Sequence, residues 1–227
     1  MSKPGNRVRL TIDRPSGHLL DQFRYLSPPA LADAMYRSGC MRDIKSVYTP
    51  VNRLVGTAVT VKAPTGDSLM VRKALEIAHR GDVIVVDARG DTTRALWGGN
   101  RSLLASSKGV LGLVIDGAVR DVEEARLAKF PIFARAVQPM ASASVGPGEV
   151  NFPIACGGVV VNPGDIIVAD EEGIAVISPA DAEVVLAQIE KVTERDETWV
   201  AAILEGKGSQ LDEVDQLLEL SGSEILG

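Results

Sequence analysis

Four consecutive β-branched residues, Val83-Ile84-Val85-Val86, stand between Asp82 and Asp87 with no polar interruption. A strand that is apolar on both sides must be covered on both sides, as in a parallel sheet with layers packed on each face. The neighbouring segments fit that reading. Val55–Val61 is a strand by its β-branched content, Val110–Ile115 is another buried strand, and Pro131–Val137 is a further one. Helical patterns lie between them. Asp67 opens one that runs through Leu69, Val71, Ala74, Leu75 and Ala78 to a stop at Gly81; a second spans Trp97–Ser107, and a short third covers Arg120–Lys129. Ser27-Pro28 supplies the N-cap and first-turn signal of an earlier helix that ends near Gly39. This alternation predicts a mostly parallel sheet with helices laid on it.

The texture changes at Val145. Gly146-Pro147-Gly148, Gly157-Gly158, Pro163-Gly164 and Gly173 punctuate the short runs Val159–Val161, Ile166–Val168 and Ile174–Ile177, which predicts tight turns joining short strands in a second β layer. Ser178-Pro179-Ala180-Asp181 matches a capping box and launches a long amphipathic helix to Leu204; a last short helix is expected around Leu211–Leu220. Residues 1–20 lack periodicity and carry Lys3, Arg7, Arg9 and Arg14, and read as a solvated basic arm. The division is therefore an arm at 1–20, one α/β domain at 21–178, and a helical extension at 179–227.

Charge and composition narrow the function. A formal net charge of −6 opposes nucleic acid as the main partner, because phosphate binding needs a clustered positive surface. No apolar run approaches ~18 residues, so no membrane span is expected, and nothing near Met1 resembles a secretory signal. Cys40 and Cys156 are far apart and form no CxxC pair, which points to a reducing, cytoplasmic setting. His18 and His79 are isolated, so a zinc site is not expected. Asp87 and Asp91 could orient the site, with turn chemistry at Gly90 explaining them equally well, and the acidic run at Asp165, Asp170, Glu171 and Glu172 reads as turn chemistry without EF-hand spacing. No GxGxxG follows a strand.

The informative stretch is Trp97 to Glu124. The strand Val110–Ile115 ends at Asp116-Gly117, and Arg120-Asp121 follow at the turn into a helix. Ligands of parallel sheets sit beyond the carboxyl ends of strands. An Arg there offers a bidentate fork to a carboxylate, and an adjacent Asp offers hard oxygens to a divalent cation. A surface Arg beside a helix-initiating Asp would look the same locally. Gly98-Gly99 tips the balance, because glycines before a helix let free N–H groups approach an anion without Cβ obstruction.

In these residues the chain resembles the 4-hydroxy-4-methyl-2-oxoglutarate aldolase family, which shares its fold with the regulator of ribonuclease activity A. The family signature is Gly or Asp, twenty residues, Arg-Asp, two residues, then Glu or Asp; here it reads Gly99, twenty residues, Arg120-Asp121, two residues, Glu124. Leu54–Val61, Gly81–Asp87, Leu113–Gly117, Pro163–Asp165 and Ala169–Ile174 also look like family blocks. The resemblance implies a swivelling α/β/β/α sandwich over the domain at 21–178, assembled as a homotrimer or a dimer of trimers. It implies a metal-dependent lyase that cleaves a 4-hydroxy-2-oxo acid to pyruvate and also decarboxylates oxaloacetate. In that reading Arg120, Asp121 and Glu124 are catalytic, Asp121 holds Mg²⁺ or Mn²⁺, and Gly98, Gly99, Asn100, Arg101 and Arg120 bind the 2-oxo acid. The family also draws an acidic residue from a neighbouring subunit's C-terminal helix, where Glu194 and Glu197 stand here. Gly99 occupies a position that is Asp in the best-characterised aldolases, and Asn100-Arg101-Ser102 departs from their usual run, which bears on substrate choice. Relatives on this fold that bind and inhibit an endoribonuclease without catalysis supply an alternative, as does a lyase for another 2-oxo or sugar acid.

Overall fold

The computed structural model describes residues 3–207 and 214–224. Val83-Ile84-Val85-Val86 lies at its centre, each residue fully buried. The run opens β4 (Asp82–Trp97), which lies between β3 (Leu54–Lys62) and β5 (Gly112–Val119), with β6 (Ile132–Val137) beyond; these four strands are parallel. Antiparallel strands complete the sheet. β2 (Lys45–Ser46) pairs with β6, and β10 (Ile166–Asp170) pairs with both β3 and β11 (Gly173–Ile177). β7 (Gly148–Val150) pairs with the end of β3, and β1 (Asn6–Val8) runs parallel to β7. A separate two-stranded sheet is formed by β8 (Ile154–Cys156) and β9 (Val159–Val161).

Strand periodicity distributes the central run between two cores. Ile84 and Val86 face Val71, Ala74 and Leu75 of α3 (Leu69–Ile77) and Ala105 of α4 (Gly99–Lys108). Val83 and Val85 face Ile154, Cys156 and Val161 of the small sheet. Each such side chain stabilises the fold by about 2 kcal/mol through removal from water. A third core joins β10 and β11 to Leu31 and Ala34 of α2 (Pro28–Ala34) and to Val185 and Ile189 of α6 (Ala182–Leu204). α1 (Gly17–Gln22), α5 (Val122–Leu127) and α7 (Val214–Ser221) complete the elements. The large mostly parallel sheet, the second small sheet and the C-terminal helices form the sandwich expected from the sequence.

Three local expectations change. The strand placed at Asp82–Asp87 continues to Trp97, and the helix expected from Trp97 begins at Gly99. Arg89 and Gly90 both adopt positive φ, 59° and 70°, yet the ladder with β5 resumes at Asp91 after a register shift. The feature read as a turn is thus a β-bulge, which bends the strand without ending it. Trp97 anchors the extension: its ring is buried, stacks on Phe130 at 5.9 Å, and donates to Ser102 Oγ at 2.9 Å.

The basic N-terminal segment is tied to the sheet at Arg7 and Arg14, although Lys3 and Arg9 are exposed. Arg14 forms a two-pronged pair with Asp82 at 2.9 and 2.8 Å, and Arg7 Nε meets Glu149 at 2.6 Å. Arg7 and Arg9 both lie over the Phe152 ring. Asp82 and Glu149 are buried carboxylates that require partners, and their demand orders the arm. The capping box at Ser178 also resolves differently. Ser178 Oγ accepts from Ala180 N, and α6 starts at Ala182 without a side-chain cap. The final helix expected from Leu211 is described only from Val214, since 208–213 lie outside the described residues.

Candidate active site

β4 and β5 end side by side, with Trp97 paired to Val119. The chain leaves β4 through Gly98 into α4 and leaves β5 through Arg120-Asp121 into α5, so both strand-to-helix junctions meet at one end of the sheet. Arg120 N–H donates to Trp97 O at 3.0 Å, which locks the junctions together. Asp121 takes a left-handed conformation, φ 55° and ψ 49°, which Asp tolerates better than most residues. Its carboxylate is thereby turned back toward α4. Asp121 Oδ2 accepts from Gly99 N–H at 3.1 Å and stands 3.4 Å from Arg120 Nε.

The two glycines have a steric reason. A Cβ on Gly98 would lie 2.5 Å from Asp121 Oδ2 and 3.3 Å from Arg120 Cγ. A Cβ on Gly99 would lie 2.7 Å from Glu124 Cβ. Gly98 itself is extended, with φ −156°, so what its position demands is close approach rather than unusual backbone.

Gly98, Asn100, Arg101, Arg120 and Asp121 surround a cavity of about 230 Å³, together with Ala95, Ala141 and Ser142. Arg120 and Asp121 are 42% and 40% exposed, so both groups are open to a ligand. Arg101 is more enclosed: it donates to Leu96 O at 2.7 Å and to Ser68 Oγ at 3.3 Å. Burial, followed by the nearby Arg72 and Arg120 guanidinium groups, lowers its pKa, a repulsion that an anion in the cavity would relieve. Glu124 does not line the cavity; its side chain packs over Gly99. Glu194 and Glu197 are exposed on α6 and also lie outside the cavity wall.

Sequence reasoning missed the opposite wall. Ala141 and Ser142 belong to the segment after β6, held against β4 by Ala95 N–H to Met140 O at 2.8 Å and Ser142 N–H to Ala95 O at 3.1 Å. Asp67 clamps the same segment, accepting from Val145 N at 2.6 Å, Gly146 N at 3.0 Å and Leu69 N at 2.8 Å. Burial alone would raise Asp67, but these three donors outweigh it and hold its pKa below the usual carboxylate value. Ser68 Oγ adds a bond to Ala143 O at 3.0 Å, which links Arg101 to the wall. The run Ala141-Ser142-Ala143-Ser144 was the available signal, since small residues mark close backbone approach.

The donor set can be compared with metal chemistry. Among the described residues no three His, Cys, Asp or Glu side chains converge, so an all-protein cage is not formed. Asp121 is the single carboxylate lining the cavity, and its Oδ1 has no protein partner among the described residues. One hard oxygen beside open, water-accessible space fits Mg²⁺ or Mn²⁺, which retain several waters.

A sandwich of one large sheet, one small sheet and flanking helices, with an Arg–Asp pair over two glycines at its strand ends, defines the class of protein. Comparison with known proteins gives the family. The RraA-like family model, described as Aldolase/RraA, matches residues 28–176, and the chain belongs to this family. It is 40% identical over 187 residues to a Halalkalibacterium halodurans protein named "Putative 4-hydroxy-4-methyl-2-oxoglutarate aldolase", covering 81% of this chain and 88% of that one. It is 44% identical over 111 residues to the 4-hydroxy-4-methyl-2-oxoglutarate aldolase of Thermus thermophilus, covering 49% of this chain and 68% of that one. Among solved structures, the RNA-processing inhibitor RraA from Thermus thermophilus superposes with a TM-score of 0.61 at 36% identity, covering 66% of this chain and 92% of that one.

Proposed function

We propose that this chain is a divalent-metal-dependent lyase that cleaves a 4-hydroxy-2-oxo acid of the 4-hydroxy-4-methyl-2-oxoglutarate type to pyruvate, and that it also decarboxylates oxaloacetate. The aldolase names of its relatives support the lyase class. The observation that carries the reading is the juxtaposition at one open cavity of Arg120 and of Asp121, whose carboxylate is held by the Gly99 N–H.

In this reading Asp121 holds Mg²⁺ or Mn²⁺, which when bound supplies Lewis-acid polarisation of the carbonyl beside the scissile bond. Arg120 presents its guanidinium to the substrate's carboxylate or keto oxygen, adding positive charge where the enolate develops. Its backbone bond to Trp97 O and its side-chain contact with Pro139 O hold it at the cavity mouth. Gly98, Asn100 and Arg101 line the cavity where the pyruvyl portion would sit, at the positive end of α4, and Gly99, which does not line it, would act through its bond to Asp121. Glu124 supports Gly99 from behind. The C4 hydroxyl gives its proton to a base and becomes the carbonyl of the second product as the C3–C4 bond breaks, leaving that bond's electron pair in pyruvate enolate, which is then protonated at C3; oxaloacetate losing carbon dioxide leaves the same enolate, so one site serves both reactions.

The distal half of α6 supports assembly as a homotrimer or a dimer of trimers. Buried positions stop at Val192, whereas Trp199, Val200, Ile203 and Leu204 are 43 to 83% exposed, an apolar stripe suited to a subunit contact that could bring Glu194 or Glu197 to a neighbouring site. No helix among the described residues is long and apolar enough to cross a membrane, and both cysteines are free, which supports a cytoplasmic setting.

The test is pyruvate release from oxaloacetate and from 4-hydroxy-2-oxo acids, with and without Mg²⁺ or Mn²⁺, in wild type and Asp121→Asn. Asn keeps the left-handed turn while removing the charge, so the fold should persist and metal-stimulated turnover should fall to background. Undiminished turnover in Asp121→Asn refutes the assignment. Absence of turnover with every metal and substrate would favour the second reading, a non-catalytic regulator, which the RNA-processing inhibitor among the structural relatives supports.

A further inference from the structure

A second cavity is larger than the one described above. At the amino ends of β3, β4, β5 and β6, opposite the Arg120–Asp121 site, lies a hollow of about 580 Å³. Four cations line it, Arg24, Arg53, Arg80 and Lys129, against a single acid, Asp21. This concentration of positive charge occurs in a chain whose net charge is −6.

Two of the cations are already partnered. Arg53 meets Asp170 at 2.8 Å, and Arg24 meets Asp21 at 2.5 Å. Arg80 and Lys129 have no carboxylate within ion-pair distance among the described residues. Helix ends facing this side do not account for them either. Both α4 and α5 close with their own backbone bonds: Val110 N to Ala105 O and Gly109 N to Ser106 O in the first, Phe130 N to Ala125 O and Lys129 N to Arg126 O in the second. Lys108 Nζ takes Leu75 O and Glu76 O at the end of α3, each at 2.7 Å. The two free cations are therefore surplus to the capping needs of the fold.

Gly109 leaves the space that Arg80 occupies. The Arg80 guanidinium lies across Gly109, where an added Cβ would stand 3.0 Å from Cζ and 3.1 Å from Nη1. Any side chain at 109 would displace it. The floor beneath the cations is apolar, formed by Leu54, Val110, Leu111 and Pro131. Cations at the rim and hydrocarbon at the floor select a ligand with separated charges on a carbon body.

We propose that this cavity binds a small organic polyanion, a phosphate ester or a polycarboxylate, with Arg80 and Lys129 as the principal cations. The shared chemistry is multiple negative charge spread over a few ångströms, which Arg grips as a fork and Lys as a point charge.

The experiment is isothermal titration of the full chain with inorganic pyrophosphate and, separately, citrate, repeated on Arg80→Ser/Lys129→Ser and on Arg120→Ala. The surface double variant should keep the wild-type melting temperature without anion. The expected result is saturable binding of at least one anion to wild type, at least tenfold weaker in the double variant and unchanged in Arg120→Ala. Pyrophosphate alone binding identifies the phosphate class, and citrate alone the carboxylate class. No binding of either anion overturns the proposal. So does binding that survives the double variant, or binding that Arg120→Ala abolishes, which would place it in the other cavity.

Discussion

Substituting Gly98→Ala separates the site's chemistry from its fold. The new Cβ would stand 2.5 Å from Asp121 Oδ2, so the carboxylate must retreat by roughly half an ångström before the contact becomes tolerable. Oδ2 is the end of a rotatable side chain, and Gly98 has φ −156°, a backbone that Ala adopts without strain. The fold therefore has a cheap escape: Asp121 swings, losing the 3.1 Å bond from Gly99 N–H. That bond is charge-assisted but 40% exposed on the acid's side, so its loss should cost about 1 kcal/mol, a fall of roughly 3 °C in Tm for a chain of this size. The kinetic effect should be much larger. Displacement of a metal-holding and substrate-positioning group by a fraction of an ångström to 1 Å costs up to about a hundredfold in rate. The assay pairs a thermal melt with kcat/KM for metal-stimulated pyruvate release. Gly99→Ala is the contrast, because its Cβ would meet Glu124 Cβ at 2.7 Å, an atom next to the backbone that cannot swing aside. That variant should lose about 2 kcal/mol of stability as well as activity. The reasoning is refuted if Gly98→Ala retains full kcat/KM, or if its Tm falls as far as that of Gly99→Ala.

Removing Arg14 with Arg14→Ala should strip both guanidinium bonds from Asp82, whose side chain is 1% exposed in the intact structure; the cost is about 3 kcal/mol, read as a Tm lower by roughly 8 °C, with no direct effect on the site. A fall of less than about 2 °C, which is under about 1 kcal/mol for a chain of this size, would mean that the arm is not fixed by this pair. Asp67 provides a pH test. Its folded pKa is depressed, so its contribution to stability is present above the unfolded value of about 3.9 and is lost as pH falls through the folded value. Asp67→Asn should lower Tm at pH 7 and flatten the acid limb of the Tm–pH curve; an unchanged limb would show that the clamp on Val145 and Gly146 carries no stability.

Much of this molecule was legible before any coordinates. The β-branched run at residues 83–86 dictated a sheet covered on both faces, and the strands at Leu54–Lys62 and Ile132–Val137 fell within a residue of their expected positions, while the one expected at Val110–Ile115 runs on from Gly112 to Val119. Hydrophobic period is a local property, and it transmits directly into element type. The Gly98-Gly99 and Arg120-Asp121 pairs were also visible, because a strand-to-helix junction is a local event. Partnership across long sequence separations was not. Arg7 and Arg14 read as solvated because nothing nearby in sequence demands them, whereas Glu149 and Asp82 demand them in space. The turn expected at Gly90 became a bulge because β5 offers a ladder that only the assembled sheet supplies.

The sequence by itself determined the layers and the chemical types at the strand ends, since both follow from side-chain periodicity and residue identity. Tertiary structure alone decided that Asp121 turns back onto Gly99, that Asp67 holds the opposite wall, and that Arg80 and Lys129 share a second hollow. Those are contacts between segments tens of residues apart. Burial makes an unpartnered charge costly, and which partner answers it depends on distance in space rather than along the chain.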